Sequence, residues 1–109
     1  MNIIKYGDIL LVDFNPVKGR EVSKIRPAIV ISNAFINEES PYLIVVSLSS
    51  QVSRVLAFQF IVEKSKVNGL DVNSKVMPET VRSIDKVRVV KKIGHLEDRY
   101  IELLEGKIL

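Results

Sequence analysis

The chain contains no cysteine and no tryptophan, and only one histidine. Without cysteine, disulfides and thiolate metal ligands are excluded, a composition compatible with a reducing cytoplasm, where the protein is expected to work. The lone His95 has no second imidazole to pair with, so it reads as a surface or capping residue rather than a catalyst. Carboxylates are scattered (Asp8, Asp13, Glu21, Asp71, Glu79, Asp85) without a D-x-D or H-E-x-x-H grouping, so no metal is expected. Neither a P-loop nor a Rossmann glycine pattern occurs, and no nucleotide cofactor is expected. Aromatic residues make up only 6%, which leaves little for stacking platforms. No apolar run approaches the ~20 residues that cross a bilayer, so no membrane partner is expected. Met1 to Asp13 carries Lys5 and two aspartates, and does not read as a signal peptide.

What the chain does have is apolar residues, 47% of 109, and a net charge of +3. That length suits one domain, residues 1–109, with a core of its own. So large an apolar share in so small a domain also predicts that some surface is buried against a partner chain. The mild positive charge favours a polyanionic partner only weakly.

Short β-branched runs punctuated by turn residues dominate the pattern. Asp8 to Phe14 (DILLVDF), Pro27 to Ser32 (PAIVIS), Tyr42 to Ser49 (YLIVVSLS) and Ala57 to Val62 (AFQFIV) read as strands. Thr80 to Ile84 and Val89 to Ile93 are two more, and Asn37 to Pro41 reads as a turn. Leu96, Tyr100, Leu104 and Ile108 recur at i+4 and predict a helix over Glu97 to Leu109, with Glu97 and Asp98 favouring its N-terminal dipole. The connections are too short for βαβ crossovers, so the expected fold is mainly β: a small twisted barrel with a C-terminal helix and short helical turns.

One segment stands apart. Between Asn15 and Pro27 lie Lys18, Arg20, Lys24 and Arg26 against Glu21 alone. On composition this is a solvated basic loop; functionally, its guanidinium groups could bind and stabilise a phosphoryl group. Arg26, braced by Pro27 and an apolar strand, is the best anchored. Ser47, Ser49 and Ser50 close the third strand, either as turn formers or as hydrogen-bond donors to a phosphate or ribose oxygen.

Taken together, "GDILLVDFNPVKGREVSKIRPAIVIS", "SPYLIVVSLSSQ" and "VRSIDKVRVVKKIGHL" with the terminal helix resemble, in order and nearly throughout the chain, the MazF/PemK/Kid toxin endoribonucleases. The resemblance implies an SH3-like β-barrel of the CcdB/PemK type, usually a homodimer, that cleaves single-stranded mRNA without a metal. It implies control by a cognate antitoxin whose disordered tail folds over the RNA groove. By position, the family's catalytic arginine falls on Arg26 and its catalytic hydroxyl on Ser49, which keeps the hydroxyl but lacks the methyl of threonine. The glutamate of the loop's Gly-x-Glu motif falls on Glu21. Lys18, Arg20, Ser23, Lys24, Ser50, Gln51 and Arg82 are the expected RNA contacts. Where some relatives carry Asp-Gln, this chain reads Glu79-Thr80, so Glu79 is assigned no catalytic role. Two alternatives stay open at this point. A gyrase-poisoning toxin on the same barrel would need a C-terminal tryptophan, which is missing here. A non-catalytic nucleic-acid-binding barrel would bind RNA and never cut it.

Overall fold

A computed structural model describes residues 3–15 and 24–108. The strands are β1 (Asp8–Asp13), β2 (Ile25–Val30), β3 (Tyr42–Ser49), β4 (Phe60–Val62), β5 (Ser74–Asp85) and β6 (Val89–His95). They form one six-stranded sheet in the order β4-β5-β3-β2-β1-β6. All pairings are antiparallel, as the short connections demand. Helix α1 (Ala34–Glu39) bridges β2 and β3, a single 3-10 turn (Lys86–Arg88) bridges β5 and β6, and α2 (Asp98–Ile108) ends the chain.

The near-continuous apolar runs have a simple cause: the curled sheet is covered on both faces. Successive residues of each central strand enter different cores. Ile9, Ile29, Val46 and Leu48 point to one, shared with Leu96, Tyr100 and Leu104 from the α2 segment. Leu10, Val12, Ala28, Val30 and Val45 point to the other, closed by Leu43 and Ile84. Fully burying a Leu or Ile contributes about 1.5–3 kcal/mol, so these two clusters supply most of the drive to fold.

Several predicted boundaries change, and the strand expected over Pro27 to Ser32 runs over Ile25–Val30, which places Arg26 inside it. The turn expected at Asn37 to Pro41 is mostly α1, whose N-cap Asn33 accepts from the Ile36 N–H at 3.0 Å. Six residues are too few for a periodic stripe, so only the cap residue marks this helix. The strand expected over Ala57 to Val62 starts at Phe60. The one expected at Thr80 extends back to Ser74 through Pro78. Proline is tolerated there because β5 bulges: Val45 pairs with Arg82 but Ser47 with Met77. The Thr80 hydroxyl repairs the gap, accepting from the Ser47 N–H at 2.8 Å and donating to the Met77 carbonyl at 2.7 Å.

His95 neither caps a helix nor faces solvent alone. Its Nδ1 lies 2.9 Å from Oδ1 of the buried Asp8, and Lys92 Nζ lies 3.1 Å from Oδ2. Burial would push the Asp8 carboxyl up, but His95, the Lys5 N–H and Lys92 together hold it below its ordinary value of 3.8. A carboxyl depressed by folding stabilises the protein above its unfolded pKa, and that contribution is lost as pH falls through the folded value. Wild-type Tm should therefore drop on acidification below about pH 4, where carboxyls titrate. Asp8→Asn should be less stable at neutral pH and should lose less over the same acid limb. Equal acid slopes for the two proteins in thermal scans from pH 3 to 7 would refute this assignment.

Candidate active site

β1 and β2 form the hairpin whose tip carries the basic loop. The register Ile9↔Ile29 to Asp13↔Ile25 carries the pair to the hairpin base, where the Phe14 N–H donates to the Lys24 carbonyl at 3.1 Å. Arg88, from the turn before β6, braces this base: its Nη1 donates to the Asp13 carbonyl at 3.1 Å and also to that of Asn15. Arg82 lies over the Phe14 ring, 5.3 Å from its centroid. Lys18, Arg20, Glu21 and Ser23 lie outside the described residues.

Arg26 sits two residues beyond that base, opposite Val12 on β1. On its other side the β2–β3 ladder runs Val30↔Val45, Ile29↔Val46, Ala28↔Ser47 and ends there. Arg26 and Ser49 both lie past the last pair of that ladder, Arg26 still paired with β1 and Ser49 with Lys75 of β5. Residues 23 positions apart in sequence thus border the same opening between the strand ends.

Beyond the ladder a cavity of about 510 Å³ opens, and Arg26, Ser49, Ser50 and Gln51 all line it. Leu11, Pro27, Leu48, Leu70 and Ile93 add apolar wall, and Asp71 and Lys91 bring further charge. The Ser49 hydroxyl oxygen accepts from the Gln51 N–H at 3.1 Å, which turns the chain at the end of β3 and leaves the O–H to donate to a ligand. Arg26 is exposed and forms no ion pair among the described residues. Its planar fork of donors is therefore uncommitted to any described carboxylate. Among the described residues, no group of three or more His, Asp or Glu converges to hold a metal ion.

Two predicted RNA contacts lie elsewhere. Lys24 and Arg82 do not line the cavity; they flank the hairpin base. Glu79 is also outside it, accepting from Gln59 Nε2 at 2.7 Å. Sequence reasoning in turn passed over Gly69, Asp71 and Lys91. Asp71 figured only among the scattered carboxylates, because the place of these residues on the cavity depends on a contact between distant segments.

That contact is unusually close. A Cβ on Gly69 (φ +72°) would lie 1.9 Å from the Ile93 carbonyl oxygen, and one on Gly94 2.4 Å from the Asn68 backbone. The fully buried Asn68 organises the turn, accepting from the Ser65 and Leu70 N–H groups and donating to the Glu63 carbonyl and to Glu97. Burial would raise the Glu97 carboxyl, yet the Ser65 hydroxyl, its own backbone N–H, Asn68 and nearby Arg99 hold it below its ordinary value.

Residues 5–109 match the family described as PemK-like, MazF-like toxin of type II toxin-antitoxin system. The chain is 33% identical over 103 residues to endoribonuclease EndoA of Bacillus subtilis, covering 94% of this chain and 89% of the relative. It is 32% identical over 107 residues to endoribonuclease MazF of Staphylococcus saprophyticus, covering 97% and 88%. In architecture it is similar to MazF in a MazE–MazF crystal structure from Deinococcus radiodurans, with TM-score 0.83, 20% identity, and coverage of 99% and 94%. It is also similar to a mycobacterial endoribonuclease in complex with its cognate antitoxin, with TM-score 0.75, 14% identity, and coverage of 99% and 91%.

Proposed function

Since this chain belongs to the PemK-like, MazF-like toxins of type II toxin–antitoxin systems and is an endoribonuclease, we propose that it cuts single-stranded mRNA at the cavity that Arg26 and Ser49 both line. The observation that carries this reading is that Arg26 and Ser49, 23 positions apart, line one cavity. RNA brings its own nucleophile, so the protein must orient the 2′-OH, hold the phosphate and manage two protons. The 2′-oxygen attacks phosphorus and gives up its proton, while the bond to the 5′-oxygen breaks and that oxygen takes a proton. The products are a 2′,3′-cyclic phosphate and a 5′-hydroxyl, and cell growth stops as messages are lost.

Arg26 contacts the scissile phosphate and stabilises the charge that builds on it. With a pKa above ~12 it is a poor base, so its part is electrostatic. Ser49 donates a hydrogen bond to the same phosphate. Glu21 orients Arg26 or assists the proton transfer. Ser50 and Gln51 hold RNA beside the cut, and Lys18, Arg20, Ser23 and Lys24 hold it from the loop.

The partners proposed are a second copy of the chain and a cognate antitoxin with an acidic tail that orders on binding. Exposed Val87, Val90 and Phe35 supply apolar surface for such contacts. Among the described residues no helix is long and apolar enough to cross a membrane. Action in the cytoplasm, where mRNA is met, belongs to the same reading.

The test is to incubate the purified protein with a long single-stranded RNA in EDTA and to map the ends. Cyclic phosphate and 5′-hydroxyl ends are expected; strict dependence on added Mg²⁺ would overturn the scheme. Ser49→Ala should slow cleavage by about 10-fold or more, as the loss of a hydrogen bond to a charged group predicts. Ser49→Thr should restore the rate, because it returns the hydroxyl.

A further inference from the structure

The cavity is larger and less polar than a phosphate needs. Leu11, Pro27, Leu48, Leu70 and Ile93 give it an apolar floor, and the exposed side chains of Ile25 and Val72 stand on its wall. A volume of about 510 Å³ falls in the range of pockets that enclose small organic ligands. Within an RNA strand, the part that gains from an apolar floor is the flat face of a base.

Asp71 is the odd member of this wall. A carboxylate beside a polyanion repels it, and no cation neutralises Asp71: among the described residues, the ion pairs are those of Asp8 with Lys92 and His95. Nor does Asp71 accept a hydrogen bond from any described group, although neighbouring Ser65, Asn68, Leu70 and Ser74 all take part in local bonds. Asp71 is exposed, and the backbone turn that leads into it is tightly held. Gly69, two residues before it, is pressed against Ile93, and the buried Asn68 ties the turn to Glu63 and Glu97. An exposed, unpaired, acceptor-only group on the wall of an RNA cavity, carried by a tightly held turn, has a favourable use there. It can accept from the N–H groups on the edge of a base.

We infer that Asp71 is a specificity-determining residue that reads an amino-bearing base, guanine best, seated on the apolar floor next to the cut. Guanine presents two adjacent donors, N1–H and the 2-amino group, which match the two oxygens of a carboxylate. Cytosine and adenine each present one amino group. Uracil presents one N–H between two carbonyl oxygens, which a carboxylate repels. This inference rests on the cavity being the RNA site, and it adds which base chemistry that site selects.

The experiment measures kcat/KM on short single-stranded RNAs that differ only at the nucleotides flanking the cut. Wild type should prefer guanine over uracil at one flanking position by about 10–100-fold, the discrimination of a good bidentate contact. Replacing that guanine by inosine, which lacks the 2-amino group, should forfeit much of the preference. Asp71→Ala should flatten it by slowing the guanine substrate while leaving the uracil substrate unchanged or faster. Asp71→Glu should retain part of it. If Asp71→Ala slows every substrate equally, or if wild type shows no base preference of this kind, the inference fails while the RNA site stands. If wild type cuts no RNA at all, the reading of the cavity fails with it.

Discussion

Arg26→Ala is expected to lower the rate of RNA cleavage by at least ~10²-fold with little change in thermal stability. Removing one preorganised donor from a developing oxyanion typically costs that much or more. The structure separates this loss from damage to the fold. Arg26 is exposed and forms no ion pair among the described residues, and Ile25 before it is also exposed. The strand is held instead from Ala28 onward, where Ala28, Ile29 and Val30 are buried completely. The truncation therefore removes a cation from the cavity mouth without opening either core. Arg26→Lys should recover only part of the rate, since an ammonium keeps the charge but not the planar fork that grips two phosphate oxygens. Single-turnover cleavage and thermal melts of the same preparations check both halves. A wild-type rate in Arg26→Ala would remove this residue from the mechanism.

The second large effect is on stability. Gly69→Ala should destabilise the protein by about 3 kcal/mol or more, equivalent to a Tm drop of roughly 13 °C or more for a domain of this size. Two costs combine. At φ +72° an alanine sits in the left-handed region, which costs about 1–2 kcal/mol. Its Cβ would also lie 1.9 Å from the Ile93 carbonyl oxygen, a backbone atom that moves only if β6 moves. Since Gly69, Leu70 and Ile93 all border the cavity, cleavage should weaken as well. Gly106→Ala is the contrasting substitution. A Cβ there meets nothing within 4 Å, and the site lies within α2, so the change should stabilise by about 0.5–1 kcal/mol. If both alanines proved neutral, the tight seam between the Asn68–Gly69 turn and β6 would be wrong.

Much of the architecture was legible in the residues. Tyr42–Ser49 was read with both of its ends in place, because eight residues of β-branched and apolar character leave no competing pattern. The terminal helix was read to within a residue, because Leu96, Tyr100 and Leu104 repeat at helical spacing and all three are buried. Where the reading fell short, the local signal was overridden from elsewhere. Pro78 argues against a strand, yet Ser74–Asp85 is one, because a bulge absorbs the proline and Thr80 takes over a ladder bond from Ser47. Helix α1 shows only its cap in sequence.

The site divides along the same line. Arg26 and Ser49 could be singled out from the basic loop, the hydroxyl-rich strand end and the family resemblance. Nothing in their spacing said that they would line one cavity. Composition, periodicity and turn chemistry act over a few residues, so the sequence by itself determined that the chain is mainly β, that a helix ends it, and that a basic loop runs into a buried strand at Arg26. Only the tertiary structure decided the rest. The strand arrangement brings Arg26 and Ser49 to one cavity, and the approach of Gly69 to β6 brings Asp71 and Lys91 to it as well. Those placements depend on which strand face is buried and how closely two backbones may pass, and both are settled between segments distant in sequence.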